Sequence, residues 1–211
     1  MPLYSLFYCV TLGPNFLIFL CVALIPWTFF VAAITQATNS IVINANILKK
    51  VYFPRTIIPI SVITSHAHTF LISTGIIIVF ILFSGIGFTW LIAFYPLILL
   101  IQYVLMLGVS LLLSSITVYL RDLEHLVGVA LMLMFYVTPI IYAADAVPPA
   151  FGAVLNLNPM THVINGYRNI FFDQTMPNLV ALFALLAFSI VLVIIGYFIF
   201  DKLQRKFAEE L

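Results

Sequence analysis

The stretch Asn178–Phe200, NLVALFALLAFSIVLVIIGYFIF, carries no charged residue. A helix rises about 1.5 Å per residue, so about 20 apolar residues cross a hydrocarbon core of about 30 Å. This run therefore reads as a membrane-spanning helix. Four others read the same way: Phe16–Thr38, Ile57–Phe83, Trp90–Val118 and His125–Ala144. The 211 residues are 64% hydrophobic and only 7% charged, with a mean hydropathy of +1.24. A soluble domain carries about 25% charged residues. The runs are too long for barrel strands, and they lack the alternation and roughly ten-residue spacing that barrels show. The expected fold is all-α: one polytopic transmembrane helical bundle over residues 1–211, with five full spans.

The opening MPLYSLFYCVTLGPN is apolar but breaks at Gly13-Pro14-Asn15, a turn signal. Its twelve apolar residues are too few to span. It fits a short interfacial helix or the tail end of a spanning helix. No basic n-region precedes it, so a secretory signal is a poor fit. Cys9 and Cys21 lie in apolar surroundings and read as packing residues.

Basic residues set the expected orientation. Lys49, Lys50 and Arg55 follow the first full span, Arg121 follows the third, and Lys202, Arg205 and Lys206 follow the last. These positions share one side of the membrane and leave only Arg168 opposite. The positive-inside rule makes that side cytoplasmic. The expected location is a cytoplasmic (inner) membrane, with the C-terminus and basic loops inside. A net charge of +1 gives no nucleic-acid footprint.

Two connecting segments are too apolar for plain loops. The cytoplasmic one, residues 44–56, contains NANILKKVYFPR. Ile47, Leu48 and Val51 share a face of a short surface helix beside Lys49 and Lys50. Tyr52 and Phe53 extend its apolar character. Pro54 ends it, because the residue before a proline avoids the helical region. The segment fits a lipid-surface anchor or an element that passes force from a cytoplasmic partner into the membrane. The outward one, residues 145–177, is cut by Pro148-Pro149 and Asn158-Pro159 into two pieces, Ala150–Leu157 and Met160–Phe172. Neither can span. Such backbone persists at membrane depth only against protein or a wet cavity, so the pieces are expected to re-enter the outer leaflet. Tyr167, Phe171 and Phe172 fit a pathway lining or an interfacial aromatic belt. Arg168 is costly in lipid and needs water or a partner.

The remaining chemistry is sparse. No G-x-x-x-x-G-K-[ST] loop occurs, so the chain is expected to bind no ATP and no other cofactor itself. His66 and His68 lie about 200° apart on a helix, unlike an i, i+4 metal pair, and are read as polar residues packed inside the bundle. Ser61, Ser65, Thr69 and Ser73 recur every four residues, as a helix-packing seam does; a polar substrate path is the other reading. Arg121, Asp122 and Glu124 lie at a cytoplasmic turn, either solvated or docking a partner. No Asp or Glu falls at the middle of a span, which argues against a proton-driven carrier. A channel-like protein needing no ATPase stays open as an alternative.

Three segments then carry a resemblance: LIPWTFFVAAITQATNSIVINANILKKVYFPRTIIPIS (Leu24–Ser61), VYLRDLEHLVGVALMLMFYVTPIIY (Val118–Tyr142) and LNPMTHVINGYRNIFF (Leu157–Phe172). In order and spacing they resemble the membrane permeases of ABC exporters of polysaccharides and polyol phosphates, the O-antigen and teichoic-acid export type. The resemblance implies a six-span half-transporter that pairs with a second copy of itself and with ABC ATPase subunits that use the ATP. It implies a lipid-linked glycan as substrate, with a smaller lipid or drug as the runner-up. It makes Asn46–Arg55 similar to a coupling helix, with Lys49, Lys50, Tyr52, Phe53, Pro54 and Arg55 at the ATPase and Arg121, Asp122 and Glu124 beside them. It makes the outward pieces similar to helices that gate the outer mouth. Relatives begin with a cytoplasmic amphipathic helix and a full first span, whereas only a partial span, about Pro2–Leu12, stands here.

For a hydrated glycan, aromatic rings that grip loosely suit a conducting path, because binding must be weak enough to leave. Phe135, Tyr136, Tyr142, Tyr167, Arg168 and Phe171 are the expected path or outer gate. Pro139 is expected to bend the helix at Thr138-Pro139 and aim Tyr142 toward the outer mouth.

Overall fold

A computed structural model describes residues 16–50, 54–84, 87, 89–142, 152, 155–205 and 207; of Ile47, Lys49 and Lys50 it describes the backbone alone. Among these residues every regular element is helical. The elements are α1 (Phe16–Ile43), α2 (Ala45–Lys50), α3 (Ile57–Ser84), a 3-10 turn (Trp90–Phe94), α4 (Tyr95–Thr117), α5 (Leu123–Val137), α6 (Pro159–Phe171) and α7 (Leu179–Gln204). α1, α3, α7 and the unit formed by the 3-10 turn with α4 are long and apolar enough to cross a membrane.

α1 and α4 form the inside of the bundle. α4 packs against α7, α1 and α3, and α1 packs against α3, α4 and α6. Their buried faces supply a large share of the core, including Val22, Ala33, Ile34, Ile98, Ile101, Leu105 and Met106. α3 and α7 lie outside them and leave Ile72, Phe83, Val191 and Phe198 on the surface. A helix that is apolar on all sides suits lipid on its outer face and protein on its inner one.

The tightest crossing is α4 on α7. A Cβ on Gly108 would stand 2.9 Å from the backbone nitrogen of Val193, and one on Gly196 would stand 2.9 Å from the carbonyl oxygen of Gly108. Apolar lipid offers no hydrophobic drive for helices to associate, so close backbone approach through small residues supplies the packing instead. Ser110 and Ser114 of α4 and Ser189 of α7 are buried. Each hydroxyl is bonded to a carbonyl of its own helix, so none is left bare.

The fourth expected full span, His125–Ala144, is not one continuous helix. α5 stops at Val137 after 15 residues, a rise of about 22 Å, short of the hydrocarbon core. Pro139 has no N–H to give to the preceding turn. Thr138 before it is extended, with φ −84° and ψ 134°, as the clash with a following proline requires. The helix is therefore ended where a bend was expected. The second outward piece forms as expected, as α6, started by Asn158, whose side chain accepts from the backbone N–H of Met160. Half of the first piece lies outside the described residues.

Gly108→Ala should cost about 1–3 kcal/mol by overpacking. Gly128→Ala, which meets nothing within 4 Å, should gain up to about 1 kcal/mol of helix propensity. Thermal unfolding of the two variants in one detergent checks the opposite signs.

Candidate functional site

Three places gather the polar groups of this apolar chain. The first is the break after α5. Arg168 lies in the last turn of α6 and is 3% exposed. Its Nη1 donates to the carbonyls of Pro139 at 2.6 Å and Tyr142 at 3.1 Å, and its Nη2 to that of Ile140 at 2.6 Å. Its guanidinium also lies 3.7 Å from the ring centre of Phe19 on α1. The five fixed donors of arginine suit such a fan of acceptors. At the other end of α6, Asn158 donates to the Thr138 hydroxyl at 2.8 Å, and that hydroxyl donates to the Met134 carbonyl at 2.6 Å. α6 thus clamps the break at both of its ends. The carbonyls set free by Pro139 find donors inside protein, as membrane depth demands.

The aromatic residues expected at the path divide around this clamp. Tyr167 is 1% exposed; it donates to the Gln102 side-chain oxygen at 3.1 Å, and Gln102 donates to the Pro26 carbonyl at 2.9 Å. Its ring packs against Phe70, Tyr95 and Phe171. Tyr167 and Phe171 are therefore core struts tying α6 to α1, α3 and α4, and neither presents a ring to an open surface of this chain. Tyr142 does not reach outward. Its hydroxyl turns back to the carbonyls of Tyr136 and Val137, at 3.1 and 3.2 Å, and covers the end of α5. Phe135 is half-buried against Trp27. Tyr136 is the exposed ring of the set.

The second place is the outer face of α3. Ser61, Thr64, Ser65, His68 and Thr69 are all exposed. They do not form a seam against the chain's other helices, and His68 is not packed inside the bundle. Most of these hydroxyls donate to carbonyls of their own helix, Ser61 to Ile58, Thr64 to Ile60 and Thr69 to Ser65. That satisfies them locally and explains how the sequence tolerates them mid-span. Around them, His66 is bonded to Gln36 of α1, and Thr64 to the Tyr103 hydroxyl of α4 at 2.8 Å. The result is a polar track across three spanning helices near the middle of α3.

The third place is the end of the bundle that carries α2. Leu48 of α2 is buried with Ile41, Ile58, Val118, Phe200 and Phe207. Arg55 donates to the Gln204 carbonyl and lies 5.8 Å from the Phe207 ring centre. The Tyr119 hydroxyl donates to the Leu203 carbonyl at 2.9 Å. Both bond carbonyls of the last turn of α7, where intrahelical donors run short, and a cation is favoured there by the helix dipole. Arg55 thus holds α7 from within. Pro54 stands exposed before α3, Arg121 and Asp122 are exposed at the turn before α5, and Glu124 accepts from Asn39 of α1 at 2.7 Å. The Lys49 and Lys50 backbones end α2; their side chains, with Tyr52 and Phe53, lie outside the described residues. Sequence reasoning missed the roles of Asn39 and Gln102 and read Asn158 only as part of a break. Gln102 stands alone in an apolar run, and that was its available signal.

Long apolar helices, one of them carrying a polar track on its exposed face, define a multi-pass membrane protein. The family described as ABC-2 type transporter matches residues 3–172, and the chain belongs to it. It is 36% identical over 198 residues to the O-antigen export system permease protein RfbA of Klebsiella pneumoniae, covering 93% of this chain and 76% of that protein. It is 32% identical over 216 residues to the protein of the same name from Myxococcus xanthus, covering 100% of this chain and 83% of that one. As a permease of this family the chain is not itself an enzyme, and its partner is an ABC ATPase carried by a separate chain.

Removing the clamp should unfold this end. Arg168→Leu leaves three buried carbonyls without their donor, at about 1–3 kcal/mol for each unsatisfied group. Arg168→Lys, with one ammonium in place of the fork, should lose less. Limited proteolysis in detergent should show cleavage near residues 138–158 first in the leucine variant.

Proposed function

We propose that the chain is the membrane half of an ATP-driven exporter moving lipid-linked polysaccharide, or a similar glycopolymer, across the cytoplasmic membrane. Two copies work with two ATPase subunits, which bind and spend the ATP. The observation that carries this reading is the polar track of α3. The exposed imidazole of His68 within a span is expensive against lipid, and with the hydroxyls around it suits a hydrated, hydroxyl-rich cargo. The O-antigen export named for the relatives agrees with that cargo.

In this reading the α2 end faces the cytoplasm, where seven of the eight basic residues fall. Lys49, Lys50, Tyr52 and Phe53 form the contact with the ATPase, and Arg121 and Asp122 border it. Pro54 sets the angle into α3, and Arg55 carries the same push to α7. The track on α3 and the exposed Tyr136 line the path. Tyr167, Arg168 and Phe171 hold α6 in place at the outer end, so that α6 moves as a body with α1 and α4.

Purification from native membranes should bring down a P-loop ATPase at one copy per permease. The triple change Ser65→Leu, His68→Leu, Thr69→Leu should lower polysaccharide export at least tenfold, with protein level and ATPase recovery unchanged. Full export by that variant would remove the track from the path. A functional oligomer recovered without any ATPase would overturn the exporter reading.

A further inference from the structure

A cavity of about 350 Å³ opens at the end of the bundle away from α2, between α6, the start of α7 and the start of α1. Its size falls at the lower end of small-molecule sites, which run from roughly 300 to 1,000 Å³. Its wall is unlike the rest of the chain. His162, Asn165 and Asn169 come from one face of α6, Asn178 from the cap of α7, and Asn156 and Asp173 from the flanks of α6. The three α6 residues are spaced by three and four, so they form one polar stripe opposite the buried Met160, Val163, Ile164 and Tyr167. An amphipathic helix whose polar side turns into a cavity, in a chain this apolar, calls for a polar occupant.

The chemistry of the wall narrows the occupant. Carboxamides offer donors and an acceptor in one group, which matches hydroxyls that both donate and accept. The side-chain amides of Asn165 and Asn169 take part in none of the hydrogen bonds seen among the described residues; the Asn169 backbone carbonyl accepts from the Thr175 N–H at 2.9 Å. The only guanidinium at the wall, Arg168, aims both terminal nitrogens at the backbone carbonyls of the clamp. The other ionisable side chains are one imidazole and one carboxylate. A phosphate would meet no available fork of donors, and an aliphatic ligand would strand the amides. The floor is Phe19, one face of whose ring is already covered by Arg168.

We infer that this cavity holds a neutral sugar residue. The inference rests on the exporter reading and deepens it: at the end opposite the cytoplasmic contact, the cavity would catch a sugar of the emerging chain and let it go. Multi-site passage needs such weak, repeated holding.

The test uses the full chain with its ATPase in lipid nanodiscs. Methyl α-mannoside, methyl α-galactoside and methyl N-acetyl-α-glucosaminide are offered at millimolar concentration, with inorganic phosphate as the comparison anion. Saturation-transfer NMR should show contact to the ring protons of at least one glycoside. The contact should be lost in Asn165→Leu/Asn169→Leu and kept in part by Asn165→Gln/Asn169→Gln, whose thermal unfolding should match the wild type. Phosphate at the same concentration should not displace the sugar. Polysaccharide export is measured separately in cells. Export with no saturation transfer, or with equal transfer in the leucine variant, overturns the cavity's role alone. Saturation transfer that the leucine variant loses, without export by the wild type, overturns the exporter reading alone.

Discussion

The end of the bundle away from α2 depends on one requirement: a carbonyl freed inside a membrane must find a donor within the protein. Pro139 creates the need by ending α5 short of a full crossing. Arg168 meets it with three bonds from one planar group, and Asn158 meets the neighbouring hydroxyl. These contacts fix where α6 lies, and α6 in turn places Tyr167 against Gln102 and turns its amide stripe toward the cavity. A residue that looked costly in lipid is the one that lets an interrupted helix exist there.

Much of the fold was legible because hydropathy and helix length are local properties. Ile57–Phe83 was expected and Ile57–Ser84 is observed; Asn178–Phe200 became Leu179–Gln204 with Asn178 as its cap. α6 shifted by a single residue from Met160–Phe172. The shortening of α5 was not legible in hydropathy, since Ile140 and Ile141 are as apolar as the helix before them; the decisive feature was the missing N–H of Pro139. The site was less legible. Backbone carbonyls have no signature in sequence, so the partners of Arg168 could not be named. A tyrosine near a membrane surface reads alike whether it faces lipid, cargo or core, and Tyr167 faces the core. The four-residue spacing of Ser61, Ser65 and Thr69 showed that they share a face, but not what that face meets.

The bundle divides into a firm part and a part left uncovered by this chain. α4 and α7 meet backbone to backbone at Gly108 and Gly196, and Arg55 and Tyr119 hold the far end of α7. Among the described residues α3 and α5 instead leave long faces exposed, and most of the polar track lies on one of them. A push delivered at α2 would reach α1, which runs into it through the bonds Asn44 N–H to Ser40 and Leu48 N–H to Asn44. It would reach α7 through Arg55. The helices that move together are thus the well-packed ones, and the faces between which cargo would pass are the sparse ones.

The clamp also fixes an order of events during synthesis. The carbonyls of Pro139, Ile140 and Tyr142 precede Arg168 by 29, 28 and 26 residues. While the chain is being made, α5 leaves the ribosome before its donor does. Its end must stay near water, or borrow a temporary donor, until α6 has emerged and folded back. This end of the protein is therefore completed late, by a segment that closes over an earlier one.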